Sequence, residues 1–190
     1  MRFLKGVLTV VALIACLLSF TSSADAAQVD QWATSVIDYS SFYPPGPDWA
    51  PSQALGAPDT FEYDDMGTAW APEPMNGTKE YITLGYATPV YASSVTIRET
   101  WGNGFVYQLD VIDQGGALHT VWTGTDPSLP GTPLDFAITF SQTPYLVKGV
   151  KIYTDTDHNL DTWEEIDAVK LTGSIVSTAL PATVLLLLEE

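Results

Sequence analysis

The sequence has almost no cysteine, histidine or positive charge. Its 190 residues include one cysteine, Cys16, and two histidines, His119 and His158. A single cysteine excludes a disulfide framework within the chain, so a packed core must stabilise the fold. Neither histidine belongs to an H-E-x-x-H segment, and the sequence contains no glycine-rich phosphate loop and no nucleophile elbow. These absences argue against a zinc protease, a P-loop nucleotide-binding protein and a serine hydrolase.

Basic residues are scarce along the whole chain. Lysine and arginine number 7 against 23 aspartates and glutamates, which gives a formal net charge of −16. Nucleic acids and anionic lipid headgroups bind clusters of basic side chains, so neither is an expected partner. Bound divalent cations would offset the mutual repulsion wherever carboxylates converge.

The N-terminus has the composition of an export signal. Residues 1–27 combine Arg2 and Lys5 with an apolar run and a small-residue end, which predicts a secretory signal peptide cleaved at Ala26 or Ala27. The run is shorter than the ~20 apolar residues that a membrane span needs. Residues 13–16 leave open a lipoprotein signal that would lipidate Cys16. Export without disulfides indicates a secreted or cell-surface protein, bacterial or archaeal in origin.

The C-terminus differs in style from the rest of the chain. Residues 174–190 pass from a polar linker to a short apolar tail after Leu180-Pro181-Ala182. The tail resembles a truncated exosortase-type sorting signal, although Glu189 and Glu190 stand where such signals have basic residues. A frayed, weakly docked terminus is the alternative. Residues 28–173 remain, which is enough for one domain.

The periodicity between the ends is that of β-strands. Apolar and polar residues alternate over short runs that turn-forming residues separate, and no convincing helical repeat occurs. The pattern predicts an all-β fold, an antiparallel β-sandwich of the jelly-roll type with eight strands. In the fourth strand, Phe105, Tyr107, Leu109 and Val111 form the expected core face. The predicted strands span 35–39, 81–84, 94–99, 105–112, 119–123, 136–140, 147–153 and 166–171.

Several segments occur in an order that resembles a known family. Residues 52–72 contain a small-residue turn and an acidic cluster, 80–85 end in Leu-Gly, and 163–173 enter through Glu and leave at Gly. Over residues 36–173 the chain resembles the galactose-binding-like (discoidin-type) jelly rolls, and in particular the domain that accompanies pappalysin-type metalloproteases. The resemblance implies a non-catalytic binding domain that calcium stabilises. The zinc site of those proteases has no counterpart in this sequence.

The resemblance also implies a metal site. It places the turn at Asp59 beside the entry of the closing strand at Glu165, so that a calcium ion bridges both with help from the Thr68 hydroxyl. Considered from the residues alone, Asp59 either caps its turn or ligates a hard cation, and Glu165 is a solvated acid at a strand end.

A second group of residues has the chemistry of sugar recognition. Trp101, Asn103 and Trp122 offer aromatic platforms and an amide, and Arg98 lies just before the loop that carries the first two. These four are the predicted ligand-binding residues. The alternatives are an ion pair for Arg98 and burial between the sheets for the tryptophans.

The sequence as a whole favours a binding or adhesion module over an enzyme. The expected partner is an extracellular glycan or protein, with no nucleic acid and no membrane span in the mature domain. A glycan-active hydrolase stays open, because the spacing of carboxylates in space is invisible in a sequence. A purely structural component of an envelope or biofilm matrix is the third interpretation.

Overall fold

A computed structural model describes residues 26–44, 46–159 and 161–176. The predicted signal peptide up to Asp25, the alternative lipidation site at Cys16 and the predicted sorting tail after Val176 lie outside the described residues. In the part of the chain that the structure describes, no helix has the length and apolar character to cross a membrane.

The described chain folds into eight antiparallel strands and one turn of 3-10 helix at Pro51–Ala54. The strands are β1 (Ala26–Trp32), β2 (Ser35–Tyr39), β3 (Lys79–Trp101), β4 (Val106–Asp113), β5 (Leu118–Thr123), β6 (Leu134–Thr139), β7 (Leu146–Asp155) and β8 (Glu165–Val176). All of their pairings are antiparallel, as the sequence predicts.

The long strand β3 belongs to both layers of the sandwich. Its first half pairs with β2 and β7, and β4 and β5 follow outward from β7. Its second half pairs with β6 and β8, and β1 closes that layer beside β8. The change occurs between Gly85 and Val90, where the register against β7 shifts. Pro89, which has no amide hydrogen to donate, lies in this interval.

The core lies between the two layers. Both halves of β3 contribute to it, through Ile82 and Leu84 in one layer and Val95 and Ile97 in the other, all of them fully buried. Burial of aliphatic side chains at alternate strand positions is the main stabilising term in a chain without disulfides. The other members include Trp70, Leu109, Val111, Val150, Ile152, Val169 and Leu171.

The strands differ from the prediction in three places. The runs 81–84 and 94–99 form one strand, and β1 is an additional strand that begins at the predicted cleavage site. The sequence does not predict β1, because its residues are mostly small or polar. The strand forms at the edge of the sheet because it pairs with β8. The predicted core face of β4 is wrong at Tyr107. A register shift between Val106 and Gln108 brings Val106 into the core and turns Tyr107 outward against Lys79.

Candidate functional site

The start of β8 carries two carboxylates on one side of the strand. Glu165 and Asp167 are two positions apart, so both point away from the core side where Ile166 is buried. A two-way backbone bridge fixes Ile166 to Trp70, with N···O distances of 2.8 and 3.0 Å. Residues 58–68, which we name the acidic loop, lead into Trp70 and therefore lie against these carboxylates.

Asp167 is buried under the acidic loop. It is 1% exposed and accepts hydrogen bonds from the backbone amides of Asp59, at 3.2 Å, and Thr60, at 3.3 Å. Burial raises the pKa of Asp167 to about 6. The hydrogen bond from the Thr60 amide lowers this pKa, and the neighbouring Asp59 carboxyl raises it. Two carboxylates therefore adjoin each other at this end of the loop.

Glu165 forms a second acidic pair. It is 0% exposed, and its Oε1 accepts a 3.0 Å hydrogen bond from the indole N–H of Trp49. The Met66 amide and the Thr100 hydroxyl donate to Oε2, both at 3.4 Å. Burial raises the pKa of Glu165 to about 9, and the Asp65 carboxyl adds to the effect. Asp65 is exposed, so this pair joins a surface acid to a buried one.

The acidic loop has the donor chemistry of a calcium site. The hydroxyls of Thr60 and Thr68 lie 2.6 Å apart and close the loop across its base. Within the described ranges, no three acidic, histidine or cysteine side chains converge closely enough to hold a metal ion. A calcium ion would therefore need hydroxyl and backbone carbonyl oxygens as well as carboxylates, which is its ordinary preference. The residues fit calcium in kind, and each pair brings an exposed acid beside a buried one.

An aromatic pocket adjoins the acidic loop. Tyr43, Trp49 and Trp163 line it together with Asp65 and Ala71, and it is open to solvent. The Tyr43 ring stands edge-on to Trp49, at 5.3 Å and 73°, and to Trp163, at 5.0 Å and 77°. We refer to this site as the aromatic pocket.

Backbone contacts hold the aromatic pocket in shape. Trp49 has a φ of 53°, a left-handed conformation that is uncommon for a bulky residue. Its amide donates to Gly67 and its carbonyl accepts from Ala71, at 3.0 and 3.3 Å. The Trp163 indole N–H donates to the Glu73 carbonyl at 3.3 Å. A strained residue that surrounding contacts hold in place is typical of functional sites.

The predicted metal residues all lie along the acidic loop and β8. The Asp59 amide donates to Asp167, and the Thr68 hydroxyl lies beside that of Thr60. The Glu165 carboxyl adjoins that of Asp65. The sequence reasoning missed Asp167, although its position two residues after Glu165 placed it on the same strand face. It also missed Asp65, one of several acids in the loop that the sequence does not distinguish.

The predicted ligand residues are distributed over different surroundings. Arg98 is 18% exposed and pairs with Asp135 at 3.3 Å, which matches the ion-pair alternative. Trp101 packs on Tyr63 at 4.7 Å between ring centroids. Asn103 is fully buried and donates to the carbonyls of Leu129 and Thr132, at 3.3 and 2.9 Å, so it ties two loops together inside the protein.

Trp122 lies apart from the loop of Trp101 and Asn103. It packs edge-on against Phe136 at 5.5 Å, and both line an open groove with Pro127. The three rings of the aromatic pocket were not predicted. Tyr43 and Trp49 come from a proline-rich segment and Trp163 from the entry to β8, and nothing in the sequence signals that they meet.

Two further glutamates are buried at the same strand ends. Glu99 accepts a 2.9 Å hydrogen bond from the Gly104 amide, and burial with the neighbouring Asp126 carboxyl raises its pKa to about 10. Burial raises the pKa of Glu164 to about 9, and the charges of Asp155 and Asp157 add to the effect. Both glutamates are 0% exposed, so their charged forms are costly.

Comparisons with known proteins identify both a family and a fold. The family model described as Pappalysin-1, SD scarf domain, C-terminal matches residues 21–180. No curated protein sequence matches the chain significantly.

Three solved structures are similar to the chain at low identity. A family 32 carbohydrate-binding module from Streptococcus pneumoniae EndoD has a TM-score of 0.53 and 12% identity, over 73% of this chain and 94% of its own. The family 32 module from C. perfringens NanJ, in complex with galactose, has a TM-score of 0.51 and 14% identity, over 77% of this chain and 93% of its own. Reduced XRCC1, bound to the DNA pol beta catalytic domain, has a TM-score of 0.52 and 13% identity, over 76% of this chain and 99% of its own. At these identities the similarity shows a common fold.

Proposed function

Because the chain belongs to the family of the pappalysin-1 SD scarf domain, we propose that it is a secreted, non-catalytic binding or adhesion module, stabilised by calcium, that recognises an extracellular glycan. The family and the fold are those that the sequence predicts. Two of the structural relatives are carbohydrate-binding modules, and one of them holds galactose. The third, XRCC1, is bound to another protein, so the ligand has to be argued from the residues of this chain.

The aromatic pocket is the observation that carries the proposal. Three aromatic side chains and an acid line a concave site, which is the usual composition of small-ligand sites. The rings are half-buried, so they offer apolar surface, while hydrogen bonds fix the backbones of Tyr43 and Trp49 and the indole N–H of Trp163. Five residues line the pocket, so it suits a single sugar or a substituent rather than an oligosaccharide.

Binding to a glycan array tests this proposal, with Trp163→Ala and Trp122→Ala as a matched pair. Both variants remove a half-buried tryptophan, but only Trp163 lines the aromatic pocket. Trp163→Ala should weaken binding by about tenfold or more, as expected for a buried aromatic contact, while Trp122→Ala should bind normally. The opposite result would move the ligand to the groove that holds Trp122. Absence of binding to every glycan would overturn the proposal.

A glycan-active hydrolase is the second candidate, and the Asp65–Glu165 pair is the feature that favours it. A carboxyl with a raised pKa beside an ionised one is the usual equipment of glycosidases. Their two carboxyls stand about 5 Å or more apart, however, whereas this pair is within hydrogen-bonding reach. Release of reducing ends that Glu165→Gln abolishes would establish the enzyme instead.

Export is part of the proposal and has its own test. A mature chain that starts after Ala26 or Ala27 would begin within β1, which pairs with β8. The intact mass of the exported protein should correspond to cleavage at one of these residues. A mass that includes a diacylated Cys16 would establish the lipoprotein alternative.

A further inference from the structure

We propose that the aromatic pocket binds a positively charged ammonium group, either a protonated amine or a quaternary ammonium, carried by its ligand. The inference rests on the proposed binding function of the same pocket and names the chemistry that the pocket selects. It is argued from the arrangement of the rings, the charge around them and the positions of the chain's own cations.

The rings are arranged as walls rather than as one platform. Tyr43 stands at 73° to Trp49 and at 77° to Trp163, with centroid distances of 5.3 and 5.0 Å. A sugar ring that stacks flat on Trp49 or Trp163 lies nearly perpendicular to the Tyr43 ring. An ammonium group has no preferred face, and aromatic rings within about 6 Å attract it through their negative π faces. Perpendicular rings therefore suit a compact cation better than a flat pyranose.

The charges around the rings favour the same ligand. Asp65 lines the pocket, and Glu165 accepts the indole N–H of Trp49 at 3.0 Å, at the edge of that ring. The Asp65 carboxyl is exposed at the pocket and is therefore accessible to a bound cation. None of the lining residues is basic, and the whole chain has a net charge of −16. A cation gains from this field, and an anion is repelled.

The chain's own cations occupy other aromatic rings. Lys151 lies 3.4 Å from the Tyr81 ring centroid, Lys79 lies 4.4 Å from that of Tyr107, and Lys170 lies 5.4 Å from that of Trp32. Among the residues that the structure describes, no lysine or arginine makes such a contact with Tyr43, Trp49 or Trp163. The aromatic pocket is thus an acidic site that the described part of the protein does not fill with its own cation.

Titration of the full-length chain with choline and with its neutral isostere, 3,3-dimethylbutan-1-ol, tests the inference. The two probes have the same shape and differ in charge, so binding followed by tryptophan fluorescence or calorimetry isolates the ammonium. Choline should bind roughly tenfold more tightly, within the range of cation–π contacts. Equal affinities, or no binding of choline at millimolar concentration, would overturn the inference.

Two variants locate the binding site. Asp65→Asn keeps the exposed side chain's shape and removes its charge, so it should weaken choline binding several-fold and leave the isostere unaffected. Glu62→Gln removes an exposed carboxylate from the same loop, away from the pocket, and should change neither. Trp163→Leu should abolish choline binding, with circular dichroism to show that it folds. If Asp65→Asn and Glu62→Gln behave alike, the pocket does not bind the cation.

Matched glycans separate this inference from the proposed function. Oligomers of glucosamine, which carry protonated amines, should bind more tightly than the same oligomers after N-acetylation, and choline should compete with them. If both forms bind equally, the proposed glycan function stands and the ammonium inference fails. If neither form nor any other glycan binds but choline does, the pocket selects quaternary ammonium and the glycan function fails.

Discussion

Asp167 and Asp59 are the residues on which the calcium proposal depends. Their carboxyls adjoin each other, and the backbone amides of Asp59 and Thr60 donate to Asp167, which is buried while Asp59 is exposed. The pKa of Asp167 is raised because a buried charge beside a like charge is unfavourable. A divalent cation removes both penalties at once, with Thr60 and Thr68 as further oxygen donors.

Calcium is accordingly expected to raise the melting temperature of the protein, and Asp59→Ala or Asp167→Asn should abolish the increase. At a hundredfold excess of calcium over its dissociation constant, the stabilisation is about 2.7 kcal/mol. For a domain of this size that corresponds to several degrees, at about 2–4 °C per kcal/mol. Differential scanning calorimetry with and without chelator measures it.

Glu62→Ala is the control for this prediction, because it removes an exposed carboxylate from the same loop. It should keep the whole calcium effect. If chelated and calcium-loaded samples of the unmodified protein melt together, Asp59 is a turn residue and the metal site does not exist.

At the scale of the elements, the loop between β3 and β4 supports the entry to β8. Gly102 in that loop has a φ of 67°, and a Cβ there would clash with the Trp163 carbonyl oxygen. The Asn159 side chain also donates to the Gly102 carbonyl at 2.8 Å. This close approach sets the position of Trp163, so the aromatic pocket depends on a glycine far from it in sequence.

Gly102→Ala should therefore destabilise the protein more than a positive φ alone explains. Gly116→Ala is the matched control, because Gly116 has a φ of 93° but a methyl group there would have no neighbouring atom within 4 Å. The left-handed backbone costs each variant about 1–2 kcal/mol. The clash should add to this cost only in Gly102→Ala, and urea denaturation compares the two. Equal losses would show that the loop yields without strain.

At the scale of the whole molecule, buried carboxyls dominate the expected pH dependence. Burial raises the pKa of Glu99 to about 10, of Glu164 and Glu165 to about 9, and of Asp167 to about 6. Their ordinary values are 4.5 for glutamate and 3.8 for aspartate. At a pH between the ordinary and the raised pKa of these carboxyls, the folded protein binds more protons than the unfolded chain. The free energy of unfolding therefore falls as pH rises through this range.

The chelated protein should thus melt at a higher temperature at pH 5 than at pH 8. Each such carboxyl contributes a slope of up to about 1.4 kcal/mol per pH unit between its unfolded and folded pKa. Calcium should stabilise the protein more at pH 8, where the ion no longer competes with protons at Asp167. Melting curves at both pH values, with and without calcium, test this. A melting temperature that rises with pH in chelator would contradict it.

Much of the fold was predictable because it follows from local patterns. The segment of β3 that includes Val95 and Ile97 alternates between buried and partly exposed positions, and a layer with one side on a packed core requires that alternation. The family was predictable from segments such as 163–173, and the matching family model confirms it. The prediction failed at β1 and at Tyr107, where pairing partners and a register shift outweigh the local pattern.

The candidate site was predictable only in part. Asp59, Thr68 and Glu165 were identified by resemblance, and they do lie along one loop and strand entry. Whether calcium binds there stays a prediction. The partners Asp65 and Asp167 are acids in an acidic chain, and no local signal separates a buried carboxylate from a solvated one.

Composition and local pattern establish the charge of the molecule, the dependence on a packed core and the succession of antiparallel strands. These properties depend on composition and on the two-residue period of a strand, which act locally. Long-range packing sets which rings form the aromatic pocket and which carboxylates become buried. Tyr43 and Trp163 are 120 positions apart in the chain, and their contact exists because β8 enters the sheet beside the loops before β3. Burial and proximity across such distances are products of packing, and they set the pKa values and the shape that a ligand meets.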